Sequence, residues 1–202
     1  MEASQSITAR IIPKKWKSER LDISFLAVAG LPDETVQEKI NFEIDRALKL
    51  FLFEQNYYTD PLVSVTGDYR ITLNEKNILS IYFQHTAYAK YAAYPLNRAI
   101  ALVFDLAGGE RWYFGDLFKQ GSNYIAKTSD IVLKQSMDNG YNLYDFKHVD
   151  YDQQYYLTEK DLVIFYSEQR YTAHALGIIE FPIQYDTISE YINPHGPIAV
   201  LL

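Results

Sequence analysis

The stretch PLVSVTGDYRITLNEKNILSIYFQHTAYA, residues 61–89, leaves the chain few ways to fold. Successive side chains of a strand point to opposite faces. In the second half of this stretch Leu79, Ile81, Phe83 and His85 fall on one face, and Ser80, Tyr82, Gln84 and Thr86 on the other. Two long strands joined at Asn74-Glu75-Lys76-Asn77 satisfy that pattern. A further strand, Arg98 to Leu106, brings Ile100, Leu102, Phe104 and Leu106 together, and Gly108-Gly109 supplies a turn after it. Three successive strands with short connections predict an antiparallel meander.

Upstream the period changes. Ile7 to Ile12 and LDISFLAVA, Leu21 to Ala29, read as strands. Gly30-Leu31-Pro32-Asp33 breaks the second, and Asp33 can cap a helix. Val36, Ile40, Ile44, Leu48, Phe51 and Leu52 then recur at spacings of three and four, which predicts an amphipathic helix to about Gln55. A second helix is expected over Ser122 to Met137, with Ile125, Val132, Leu133 and Ser136 near one face and Asn139-Gly140 as its stop. Tyr141 to Tyr151 reads as loop. Tyr155 to Leu157 and Leu162 to Tyr166 flank the hairpin loop Thr158-Glu159-Lys160-Asp161. A last strand, Gly177 to Tyr185, contains Pro182, which belongs at an edge or a bulge because proline donates no ladder hydrogen bond. Strands, helix and strands in that order, given twice, predict an α+β protein of antiparallel sheet or sheets with two main helices packed on one face. The boundary falls near residues 107 and 108, between two domains or two parts of one compact unit.

Composition narrows the function classes. A net charge of −7 argues against general nucleic-acid binding, which needs a basic footprint. With no cysteine, disulfides, thiolate nucleophiles and cysteine-ligated zinc are excluded. No apolar run approaches the ~20 residues of a membrane helix. MEASQSITAR lacks the hydrophobic centre of a signal peptide. Tyrosine is abundant, 18 against 2 tryptophans, and suits both half-buried strands and recognition surfaces.

Chemistry is hard to find. His85, His148, His174 and His195 form no metal motif, and no phosphate loop, nucleophile elbow or dinucleotide fingerprint occurs, so no cofactor or metal is expected. The sequence HVDYD, with His148, Asp150 and Asp152, groups ligand types but reads more simply as a polar loop. His85, on an apolar strand face, reads as a core histidine. The pairs Asp60 with Asp68 and Asp150 with Asp152 would serve glycoside hydrolysis only if brought ~5–10 Å apart across a groove. The loop QRYTAHAL, with Arg170, Tyr171, Thr172 and His174, joins two strongly patterned strands, and such loops are common recognition sites. The connection AYAKYAAYPL adds Tyr91 and Tyr94, beside Tyr88, as flat faces for stacking on a sugar or a protein ridge.

The run DQQYYLTEKDLVIFYSEQRYTAHALGIIEFPIQYDTI resembles the signature of the DUF3298 family. Upstream, LPDETVQEKIN, NILSIYFQHTAYA and VFDLAGGERWYFGDLF resemble its usual companion, DUF4163. Together the likeness spans about Ser18 to Ser189. The resemblance implies kinship with the extracellular domain of lysozyme-sensing anti-sigma-V factors, with lipoproteins, and with the N-terminal region of some peptidoglycan deacetylases. It therefore implies an extracellular or cell-envelope location, with the export signal or anchor outside this sequence, and no catalysis by the tandem itself. It also implies recognition through the loop before the last strand. Here Thr172-Ala173-His174-Ala175 replaces the family's Ala-Pro-Tyr-Ala, and Tyr91-Ala92-Ala93-Tyr94 replaces Gly-Ala-His-Gly, which points to a ligand other than lysozyme.

The expected function is thus a non-catalytic binding or sensor module whose partner is a wall glycan, a peptidoglycan fragment or an envelope protein. The alternatives are a glycan or peptide hydrolase using a spatial carboxylate cluster, and an oligomer built through the apolar tail Ile198 to Leu202.

Overall fold

The computed structural model describes residues 6–202. The first five residues, half of the stretch MEASQSITAR read above for an export signal, lie outside the described residues. The chain divides between Arg111 and Trp112 into two compact units.

The first unit is a five-stranded sheet in the order β1 (Arg10–Lys17), β2 (Leu21–Ala29), β3 (Val63–Glu75), β4 (Ile78–Ala89), β5 (Leu96–Asp105). The meander β3–β4–β5 is antiparallel throughout. Its first turn is two residues long, and Lys76 and Asn77 both have positive φ, +50° and +64°, as a right-twisted hairpin requires. The expected all-antiparallel sheet is corrected at one seam: Leu21, Asp22 and Ile23 of β2 pair in parallel with Val65, Thr66 and Gly67 of β3. Helix α1 (Glu34–Glu54) connects these two strands. A helical crossover carries the chain back to the end where it started, so the flanking strands run the same way.

Asp33 caps α1, accepting from the N–H groups of Thr35 at 2.8 Å and Val36 at 3.4 Å. The stripe read from sequence is the buried one: Ile40, Ile44 and Leu48 pack with Leu26, Val28, Leu79, Ile81, Phe83, Leu102 and Phe104. Lower on the helix Leu52 joins Ile23, Val63 and Val65.

The first strand lies later than the sequence suggests. Residues 7–9 run beside the β3–β4 turn, where Asn77 accepts from the Ile7 N–H at 2.6 Å and Asn74 from the Ala9 N–H at 2.9 Å. The strand proper carries Pro13, Lys14, Lys15 and Lys17 on the sheet edge. Those residues hide a strand from an apolar pattern, yet they are what keeps an open edge from pairing with another chain.

The second unit holds the three-stranded antiparallel sheet β6 (Tyr155–Leu157), β7 (Asp161–Tyr166), β8 (Ile179–Gln184). Pro182 sits on edge strand β8, with its carbonyl turned outward to accept from Gln135 Nε2 at 2.7 Å. Gln135 belongs to α2 (Tyr124–Asp138), which packs near β8 and the short helical turn α3 (Tyr185–Ile188). Each long helix thus serves a sheet in its own unit. The face that α2 buries differs from the expected one: Tyr124, Thr128, Ser129, Val132 and Ser136 are buried, whereas Ile125 and Leu133 are half-buried. Hydroxyls can go inside because each bonds a preceding carbonyl, Thr128 to Tyr124 at 2.8 Å and Ser129 to Ile125 at 2.6 Å.

Among the described residues no helix is long and apolar enough to cross a membrane.

Candidate functional site

The sequence-read residues fall in two places. Tyr91 and Tyr94 occupy the β4–β5 connection of the first unit. Tyr91 is 82% exposed, with positive φ (+77°), and the Lys90 ammonium lies 5.3 Å from its ring centroid.

Arg170, Tyr171, Thr172 and His174 share the loop between β7 and β8 of the second unit. That loop is stitched down on both flanks. The Tyr171 ring stands edge-on to Phe146 at 5.3 Å and to Tyr166 at 4.9 Å. Its carbonyl accepts from the Tyr144 N–H at 2.7 Å. Arg170 lies over the Tyr171 ring, 5.1 Å from its centroid, and reaches the Asp150 carboxylate at 3.5 Å. The ring cluster buries the Tyr166 hydroxyl, and that burial pushes the phenol far above its ordinary range. Thr172 is buried, so its side chain faces the unit's interior rather than solvent. His174 is half-exposed, and its Nδ1 meets the carboxylate of Glu168. Glu168 is buried, and nothing in the apolar pattern around it foretold a carboxylate there. Arg170, Ala173, Ala175 and Leu176 form the outward surface of the loop.

Several of the side chains considered for carboxylate chemistry have local partners. Asp150 faces Arg170, and His148 Nδ1 lies 3.1 Å from the Val149 carbonyl. Asp60 accepts from the Leu62 N–H, and Asp68, within β3, from the N–H of its neighbour Tyr69. Among the described residues no three His, Asp or Glu side chains converge as a metal site would need. The hydrogen bond from Lys15 holds Asp22 below the usual carboxylate range, and that from Lys39 does the same for Glu110. His85 is a core residue: its ring is fully buried, stacks on Phe51 at 4.4 Å, and accepts at Nδ1 from Gln55 Nε2 at 3.2 Å.

A cleft of about 580 Å³ in the second unit was not read from the sequence. Its aromatic walls are Trp112, Phe118, Tyr124 and Tyr151. Asp116, Lys119, Gln120 and Asn193 supply polar groups around them. The volume lies within the range of small-molecule sites. One wall is built by a 3₁₀ turn, Phe114–Leu117, in which Asp116 accepts from the Tyr113 N–H at 2.9 Å while Phe114 and Leu117 go inside. The C-terminal stretch braces it: the Asn193 N–H donates to the Leu117 carbonyl at 2.9 Å, and Asn193 Nδ2 to the Asp116 carbonyl at 3.0 Å. Behind the opening Phe118 and Tyr124 stack at 4.2 Å with 7° between ring planes. The aromatic density of WYFGDLF was the available signal; what hid the cleft is that its other walls come from residues 124, 151 and 193.

Residues 115–186 match the family model described as "Protein of unknown function (DUF3298)". The matched segment contains the β7–β8 loop and most of the cleft. The fold is also that of two solved members of this family. One, from Bacteroides fragilis NCTC 9343, aligns with a TM-score of 0.69 at 12% identity over 98% of this chain and 96% of its own. The other, from Pseudomonas aeruginosa PAO1, gives 0.68 at 13% identity over 94% of each chain. No curated protein matches the chain.

Proposed function

We propose that this chain is a non-catalytic binding or sensor module of a bacterial cell envelope, taking a wall glycan, a peptidoglycan fragment or an envelope protein. In this reading the first unit is a DUF4163-like companion, and the module is related to the extracellular domains of anti-sigma-V factors and to the regions preceding peptidoglycan deacetylase domains. The observation that carries it is the cleft of the second unit, which joins aromatic walls to a polar rim without a converging acid pair. Contact surfaces of this kind hold a ligand without a group placed to break it. Arg170, outward on the β7–β8 loop, and the half-exposed His174 extend the contact.

Co-sedimentation of the purified chain with bacterial sacculi tests the proposal, using sacculi with and without their attached proteins. The chain is expected to pellet with at least one preparation and to release no soluble wall fragments. Pelleting only with protein-bearing sacculi makes the ligand an envelope protein. A chain left in the supernatant with both preparations overturns the proposal, and release of fragments replaces it with the hydrolase alternative. Arg170→Ala is the loop variant to use, because Tyr171→Ala would also unpack the ring cluster with Phe146 and Tyr166, and His174→Ala would remove a contact of the buried Glu168 carboxylate.

A further inference from the structure

We infer that the cleft of the second unit is a saccharide subsite in which Tyr151 is a movable wall and the Tyr124 hydroxyl is the buried hydrogen-bonding group. This deepens the binding reading above and rests on it.

Three observations carry the inference. First, Tyr124 is only 8% exposed and its hydroxyl has no hydrogen-bond partner among the described residues. Buried polar atoms in folded proteins are satisfied with few exceptions, and the exceptions concentrate where function uses them. Burial raises the Tyr124 phenol pKa, with the neighbouring Tyr151 and Asp116 adding to the shift, so the hydroxyl is protonated and available as a donor at neutral pH. Secondly, Tyr124, Tyr151 and Asp116 all line the cleft. Thirdly, Tyr151 is 73% exposed and its ring rests on Gly115. A Cβ at position 115 would lie 2.9 Å from Tyr151 Cζ and 3.0 Å from its hydroxyl oxygen. Glycine at 115 is therefore what lets an otherwise solvent-facing aromatic ring lie down over the cleft.

The chemistry that fits is a pyranose ring. Its axial C–H groups present an apolar face to Tyr151 or Trp112, and its equatorial hydroxyls reach outward to polar groups at the rim. When the Tyr151 ring lifts from Gly115, a sugar oxygen can accept from Tyr124 while Asp116 and Gln120 stand at the rim for the remaining hydroxyls. A lipid tail would use the aromatic walls but not the ring of polar groups around them.

Titration of the intact chain with chitotetraose, followed by tryptophan fluorescence and by calorimetry, tests this. Saturable binding is expected. Tyr151→Ala, an exposed position, should weaken it at least tenfold. Tyr124→Phe, which keeps the stack on Phe118 and removes only the hydroxyl, should weaken it severalfold. No saturable binding, or binding unchanged in both Tyr151→Ala and Tyr124→Phe, overturns the inference. If sacculi still sediment the chain and the Tyr151→Ala variant alike, this subsite fails while the binding function stands. Tetraose binding without sedimentation keeps the subsite and removes the envelope assignment.

Discussion

His85 has no accessible surface, and burial alone lowers its pKa from 6.5 to about 4. Between those values the unfolded chain takes up a proton that the folded chain refuses. Stability therefore rises with pH across this window and is lost as pH falls through it, by about 3 kcal/mol from this one group. Urea midpoints measured at pH 7 and pH 4.5 should show a clear drop for the native chain and a smaller one for His85→Phe; equal drops would disprove the assignment. The sequence marked His85 as a core histidine from its place on the face of Leu79, Ile81 and Phe83. It did not reveal Gly67 opposite, where a Cβ would come within 2.8 Å of the Gln84 carbonyl oxygen and closer still to the His85 ring. Cross-strand partners are fixed by register, which local pattern leaves open.

Among the elements, α1 was the most legible because it is long, strongly periodic and capped. Asp33 satisfies two otherwise orphaned N–H groups. Replacing it with alanine should cost about 1 kcal/mol, seen as a shifted urea midpoint with unchanged slope; a midpoint within error of the native one would show that the cap contributes nothing. Helix α2 was legible in position but not in facing. Its buried Thr128, Ser129 and Ser136 look polar in a hydropathy pattern, yet backbone carbonyls and the Val149 N–H take up their hydroxyls. The β7–β8 loop shows a similar limit. The sequence located Arg170, Tyr171, Thr172 and His174 together, while packing turned Thr172 inward and clamped Tyr171 between Phe146 and Tyr166.

At the scale of the whole molecule the C-terminal tail belongs to the body of the second unit. Pro197 and Ile198 are buried, Ile198 completely, whereas Val200 and Leu202 are exposed. A chain ending at Asn193 should be less stable by about 2–5 kcal/mol, the cost of emptying one large apolar site, without a change in solution mass per particle beyond the residues removed. A fall from oligomer to monomer at unchanged stability would instead support the tail as an interface. The match to the DUF3298 model, residues 115–186, stops short of this tail and of Asn193, although both brace the same unit.

The amino-acid sequence by itself determined the elements of this protein: where apolar side chains alternate, where they recur at helical spacing, and where aspartate, proline and glycine interrupt them. Those are local properties, because a side chain's direction is set by the few residues around it. Only the tertiary structure decided that β2 and β3 run parallel, that Tyr151 lies on Gly115, and that Trp112, Tyr124 and Asn193 meet around one cleft. Contacts between residues tens of positions apart depend on register, crossover and packing together, and no short stretch of the chain encodes any of those alone.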